Sequence, residues 1–485
     1  MIRRSKALRT TRLVAVMSIW TVVMLVSNSG WAAMIFLDNG TIKLGVDLSA
    51  GGAIGYLSES GSASSVINTH DLGRYVQQSY YSGPANYTPA GSTKHPNYAN
   101  WPWNPVQAGD VYTNASNVLT SSNDGAQIYV KTQPKQWALS NFPADATMEQ
   151  WITLDGNVAT VRNHLVMARA DTTRYGAFDQ ELPAVYTVSS LSKLMTYNGT
   201  QPFAGGALAQ IPNNGPPWTY WRATENWAAY VNTSNWGLGV FVPGANRFVG
   251  GMSGAPGGNA TSSSTGYISP LHTDILDHNL VYDYSYQLIL GNLTDIRAHV
   301  YANKPELRPK YVFHGDREHW TYGGGARDNG APTGDHLHVE WLANTDPQMI
   351  GPESAFQAAA VPTLFIRAAF SLSRGDNGQL FWETNNGASP FSENQSIVFP
   401  IINDGQYHTY ALNLAAKASW TGEISRLRFD PAGGAAGGMD IQFISSAVPE
   451  PDALGLGGAG VLTLLGLGCA HRFRRHGDRR ATGRD

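Results

Sequence analysis

The chain has 485 residues and a formal net charge of -3, and only 14% of its residues are charged. That length exceeds what one hydrophobic core organises, so two domains plus processing segments are expected. The absence of a basic field excludes a nucleic-acid partner. Low charge with 52 glycines, 14 tryptophans and 22 tyrosines suits an exported, turn-rich β protein with many flat aromatic faces, the surfaces on which sugar rings pack.

Residues 1–32 have the layout of a signal peptide: a basic start (MIRRSKALRTTR), an apolar stretch (LVAVMSIWTVVMLV) and small residues at Gly30 and Ala32 around a cleavage point. An uncleaved anchor shares the same basic flank and apolar length. From about residue 34 the pattern has period two, with stretches separated by Gly, Asn, Asp and Pro turns, which predicts antiparallel strands buried on one face.

Residues 68–84 (NTHDLGRYVQQSYYSGP) crowd polar and aromatic groups together. His70 is a candidate general acid or base. Asp71, Arg74, Gln78, Tyr80 and Tyr81 are candidate walls of a sugar site, with Arg74 able to hold a carboxylate by two parallel bonds. In KHPNYANWPWNPVQAGD, Trp101 and Trp103 flank one proline and are expected to form a stacking platform, with Asn104 and Gln107 reading hydroxyls beside it.

Further along, VATVRNHLVMAR alternates cleanly, and VYDYSYQLIL sets Tyr282, Tyr284 and Tyr286 on one side. Glycoside cleavage needs two carboxyl groups, one kept protonated and one ionised. Glu181 in FDQELPAVY and Glu225 in WTYWRATENWAAY lie among aromatic residues able to raise a carboxyl pKa, and are the candidate catalytic pair. Asp179, two positions from Glu181, is a third acid. A uronate lyase would instead use an arginine (Arg74 or Arg162) with His164, Tyr80 or Tyr81 as base. No helical run longer than about two turns is expected before the C-terminal tail.

Two prolines and mixed charge interrupt the strands near YANKPELRPKYVFHGDREHW, which places a domain boundary at residues 305/306. The first unit, residues 33–305, is too large for a simple sandwich, and its size and class are analogous to the large sandwich of the galactose-mutarotase type. Residues 306–447 carry seven or more short strands, the pattern of a jelly roll. The order of an aromatic strand, a Phe-Pro strand, Trp-x-Gly and Arg-x-Arg-x-Asp-Pro resembles the carbohydrate-binding-like modules appended to exported bacterial glycan-processing proteins. That resemblance implies an accessory role for this unit. His336, His338 and Glu340 in HLHVEWL alternate as metal ligands do, but Leu337 and Val339 make the other face an ordinary core stripe. No metal is assigned, and the sequence requires no cofactor.

The chain closes on Val448, Pro449, Glu450 and Pro451, followed by about 18 apolar residues, barely enough to span a bilayer, and an arginine cluster. This order resembles the PEP-CTERM tail of exosortase substrates in Gram-negative bacteria. The resemblance implies a hydrophobic helix within a sorting tail at 448–475, a basic end at 476–485, exosortase-type machinery and the inner membrane as partners, and delivery to the cell surface or extracellular matrix. An ordinary C-terminal anchor helix has the same apolar length. The single cysteine, Cys469, falls in this tail, so the exported body has no disulfide.

The expectation is therefore an exported all-β protein acting on polysaccharide, with a glycoside hydrolase first. A uronate-directed lyase and a non-catalytic exopolysaccharide-binding or adhesion protein are the alternatives.

Overall fold

The computed structural model describes residues 34–385 and 391–450. The apolar leader, the tail beyond Glu450 and Cys469 lie outside the described residues, and within them no helix is long and apolar enough to cross a membrane. The described chain is built almost entirely from antiparallel strands.

Two large sheets use the chain up to Ala302. In the first, the spatial order is Met34–Asp38, Ile42–Asp47, Ala53–Glu59, Val76–Ser79, Phe178–Val188, Thr265–Asp274, Arg247–Ser253 and, at the edge, Thr219–Arg222. The second runs from Ala209–Gln210 through Trp227–Val231, Val281–Asn292 and Val158–Met167 to Asn117–Asn123. Between them lies the main core, including Val76, Val161, Val185, Ile268, Leu288 and Tyr230. The alternation in Val158–Met167 does what a half-buried strand requires: Val161, Asn163, Leu165 and Met167 point inward, and Arg162 is exposed.

A second pair of sheets begins at Lys310. One contains Leu337–Trp341, Gly437–Ser445, Thr363–Leu372 and His408–Asn413. The other contains Gln348–Gln357, Glu423–Asp430, Asn377–Thr384 and Ser396–Pro400. Trp320, Trp382, Phe356, Phe429 and Ile441 fill the space between them.

The chain between the two sandwiches departs from the expected absence of longer helices. Leu293–Ala302 is a helix of 10 residues. Its periodic signal is thin, because only Ile296 and Val300 are buried in it. It is started instead by Asn292, whose side chain accepts from the backbone of Thr294 and Asp295. It is then anchored by Arg297, which reaches under the sheet to Glu225 with Nε at 3.1 Å and Nη2 at 2.9 Å.

The two sandwiches meet through charge. Across adjacent strands of the second sandwich, Glu353, Arg426 and Glu383 sit in register, giving an acid, base, acid row. Glu383 pairs with Arg222 of the first sandwich, and Glu353 accepts from the Asn246 backbone at 2.9 Å. Arg317 joins Asp277 (2.7 Å) to Asp328 (2.5 Å), and His319 meets Asp274 at 3.0 Å. Buried charges of this kind are tolerated only when paired.

Two measurements test these anchors. Arg297→Ala leaves Glu225 without its counter-charge, and urea denaturation is expected to show a loss of about 3 kcal/mol. An unchanged midpoint would remove Arg297 as an anchor. For His319, burial pushes the imidazole down, but the Asp274 carboxylate, with Asp316 and Glu318, outweighs it and raises the pKa to about 9. Its stabilisation is thus complete below the ordinary value of 6.5 and lost as pH rises through about 9. The melting-temperature gap between the protein and His319→Ala should be widest near pH 6 and close on the alkaline side.

Candidate functional site

The site lies on the outer face of the first sheet, around the Phe178–Val188 strand. A one-residue bulge between Glu181 and Val185 sets its composition: Glu181 pairs with Leu271, but Val185 pairs with Ile268 and Tyr186 with Tyr267. Before the bulge Asp179 and Glu181 face outward. After it Tyr186 does, while Val185 enters the core.

Glu181 sits at the centre. Tyr81, just past the Val76–Ser79 strand, donates its hydroxyl to Glu181 Oε2 at 3.0 Å, and the Tyr267 hydroxyl lies near the same carboxyl. Burial pushes the Glu181 pKa up. The tyrosine hydroxyls partly oppose the shift, and the neighbouring Asp179 adds to it. Asp179 goes the other way. Burial raises it, but the Arg247 fork (2.8 and 3.2 Å) and the Thr273 hydroxyl (2.6 Å) prevail and hold it below the usual carboxylate range.

Aromatic rings surround the pair, half-buried except for Tyr267, which is fully buried. Trp137, Tyr98, Trp101 and Tyr81 form a chain of edge contacts with centroid separations of 5.9, 5.1 and 6.1 Å. Tyr186 stacks on Tyr267 at 4.7 Å, and Trp218 leans on Tyr267 at 5.0 Å. Arg74 closes the ring, its guanidinium 5.3 Å from the Tyr186 centroid. Gly73 beside it has no alternative, because a Cβ there would come within 2.6 Å of the Trp137 ring. The loop that presents Arg74 is tied off by Tyr75, which donates to the Asn68 carbonyl at 2.8 Å from a left-handed backbone with φ of 69°.

Of the candidates named from sequence, Glu181, Tyr81, Arg74 and Trp101 converge here. Others are placed elsewhere, each for a physical reason. Glu225 is fully buried and bound by Arg297, Tyr301, Trp227 Nε1 and the Phe203 backbone, so it is a structural anchor with no open face. Trp103 does not share a platform with Trp101. Its backbone pairs with Ser82, which carries the ring between the sheets, where it is 1% exposed in a cluster with Tyr80 and Leu182. Tyr80 is a core residue there, donating to Gln78 Oε1.

Gln78, Asn104 and Gln107 are buried scaffolding. Gln78 donates to the Glu149 carbonyl, Asn104 ties the Tyr80 carbonyl to Trp101 Nε1, and Gln107 donates to the Gly52 carbonyl. His70 is exposed and turned to the Thr261 carbonyl at 2.9 Å, and Asp71 closes its own turn on the Gly73 backbone. His164 is paired with Asp283, and Arg162 lies over Trp151, both on the other large sheet. His338 is held by Asp440 at 2.6 Å and His336 by Asp335 at 2.9 Å. Among the described residues no group of three or more ligating side chains is arranged for a metal.

Sequence reading missed Tyr186, Tyr267, Tyr98 and Trp137 as site residues. Strict alternation from Glu181 puts Tyr186 on the wrong face, and only the bulge returns it.

No family model matches the chain, and no curated protein does. Solved structures similar to it include a galactose mutarotase-like protein from Lactobacillus casei, with 12% identity and a TM-score of 0.35, covering 53% of this chain and 100% of that one. A galactose mutarotase related enzyme from Lactobacillus acidophilus has 10% identity and a TM-score of 0.36, covering 53% of this chain and 97% of its own. The 4-alpha-glucanotransferase from Thermococcus litoralis has 10% identity and a TM-score of 0.31, with coverages of 53% and 37%.

Tyr81→Phe removes a donor to the ionised form of Glu181, so the carboxyl should titrate still higher. Infrared difference titration against Glu181→Gln checks the direction. A downward shift would mean that the tyrosine does not stabilise the carboxylate.

Proposed function

We propose that the protein lays a polysaccharide along the aromatic face and cleaves a glycosidic bond over Glu181. In this reading Glu181 protonates the leaving oxygen and Asp179 is the ionised partner. The observation that carries it is the Asp179 and Glu181 pair: two carboxyls two positions apart on one strand face, pushed in opposite directions by their surroundings. Opposed shifts are how two like groups take opposite roles in acid and base chemistry. Two residues along a strand span roughly 7 Å, within the roughly 5 to 10 Å that glycosidase carboxyls use. The aromatic rings supply stacking faces for a chain of sugars. Asp179 here replaces Glu225 as the second acid.

A uronate lyase is the second reading. In it Arg74, in the same aromatic ring, takes the uronate carboxylate, ionised Glu181 removes the C5 proton, and the Tyr81 hydroxyl bonded to Glu181 stays protonated. We further propose that the body is exported through its leader and sorted through its Pro-Glu-Pro tail, so that its substrate is extracellular polysaccharide.

Incubation with a panel of neutral and acidic polysaccharides separates the readings: new reducing ends for a hydrolase, an ultraviolet-absorbing unsaturated product for a lyase, retention without product for a binder. Glu181→Gln should lower hydrolysis by about 100-fold or more. The turnover number should fall as pH rises through the raised Glu181 pKa, and fall on the acid side only below the ordinary carboxylate range. Full activity in Glu181→Gln would sink the assignment.

A further inference from the structure

Arg222, Arg247 and Arg426 come together in the seam between the two sandwiches, and the first two each hold a carboxylate, Glu383 and Asp179. Arg426 is the exception. Its neighbours in register are Glu353 and Glu383, yet no carboxylate among the described residues lies within ion-pair distance of its guanidinium. Its Nε donates to the Gly351 carbonyl at 2.9 Å, which leaves Nη1 and Nη2 without an acceptor among the described residues. Both nitrogens keep accessible surface: Arg426 is partly buried and lines a cavity of about 300 Å³ in the seam.

The electrostatics agree with this geometry. Burial weighs most on Arg426 and works against its cation, Glu353 and Glu383 oppose that effect, Arg247 and Arg222 add to it, and the balance lowers the pKa. The result is a cation short of counter-charge. His319 lines the same cavity, with Nδ1 spent on Asp274, its side chain 42% exposed and Nε2 meeting no acceptor among the described residues. With its pKa raised to about 9 the ring is cationic at neutral pH, so Nε2 is a donor.

The acids that line the cavity are committed: Asp274 to His319 and the Tyr282 hydroxyl, Asp283 to His164, and Glu353 to the Asn246 backbone. Their charge leaves room for one added negative charge and disfavours a dianion. The volume is at the lower end for ligand sites, enough for one small molecule and too little for a glycan chain.

Beyond the chemistry at Glu181, we propose that this seam cavity is a separate site for a small monoanionic carboxylate, with Arg426 Nη1 and Nη2 as its fork and His319 Nε2 as a further donor. A single uronic acid has this chemistry. Two parallel bonds from a guanidinium are the strong form of carboxylate recognition, and they supply the acceptors that Arg426 lacks.

Calorimetry near neutral pH, with sodium glucuronate, glucose and inorganic phosphate as probes, tests the site. Glucuronate is expected to bind and to raise the melting temperature as its concentration increases, with glucose and phosphate bound more weakly. Arg426→Gln should weaken glucuronate binding about tenfold or more, and Arg426→Lys should recover only part of it, because an ammonium lacks the fork. Leu307→Trp fills the cavity from a residue that is 42% exposed, so it should also block glucuronate and serves if Arg426→Gln misfolds. Arg74→Gln, which alters the aromatic face, should leave glucuronate binding unchanged.

No glucuronate binding by the unmodified protein, binding undiminished in Arg426→Gln and Leu307→Trp, or loss in Arg74→Gln alone would overturn the site. Phosphate bound as tightly as glucuronate would overturn the carboxylate assignment. Glucuronate binding that depends on Arg426, with no product from any polysaccharide, would leave this site standing and overturn the hydrolase reading alone.

Discussion

The one-residue bulge in the Phe178–Val188 strand is the constraint on which both core and site depend. A strand has two faces, and an inserted residue exchanges them. With the bulge, Val185 completes the core while Tyr186 joins Glu181 and Asp179 outside. Without it, either a tyrosine hydroxyl would be forced between the sheets or the carboxyls would lose their aromatic neighbours. The strand lies between Val76–Ser79 and Thr265–Asp274, both central in the sheet, so the bulge also decides which residues of those strands the carboxyls meet: Tyr81 on one side, Tyr267 and Thr273 on the other.

The second sandwich is joined to this face by charge. Arg247 binds Asp179, and the Glu353, Arg426 and Glu383 row stands opposite it and Arg222. Removal of any one member leaves its partner's charge in a poorly solvated seam, which is the strongly destabilising case for buried ions. The ionisation of Asp179 is therefore tied to the same network that holds the two sandwiches together. This gives the smaller unit a physical connection to the candidate chemistry without contributing a residue to the Glu181 centre.

Much of the fold was legible because strand periodicity is local. The alternation in Val158–Met167 and the tyrosine stripe at Tyr282, Tyr284 and Tyr286 follow from side chains pointing to opposite faces in turn. The Leu293–Ala302 helix was not legible, because its stability comes from an Asn cap and the Arg297 to Glu225 pair and not from an apolar stripe. Within the site, Glu181, Tyr81, Arg74 and Trp101 were visible as polar and aromatic types crowded in short segments. Glu225 shared that local appearance, yet five hydrogen bonds from Phe203, Trp227, Tyr301 and Arg297 close it off. Nothing local distinguishes an acid among aromatic residues that stays partly exposed on a sheet face from one that anchors a helix.

What the amino-acid order determined by itself is the class: strands, turns, aromatic abundance and low charge, each set by residues within a few positions of one another. What only the tertiary structure decided is which of two acids stays open, which of two tryptophans is a surface and which tyrosines surround the carboxyl. Those outcomes turn on contacts between segments about 100 residues apart, such as Tyr81 with Glu181, and on a register shift that reverses the faces of one strand. Periodicity specifies a strand's two sides, and only pairing with its neighbours settles where each side points.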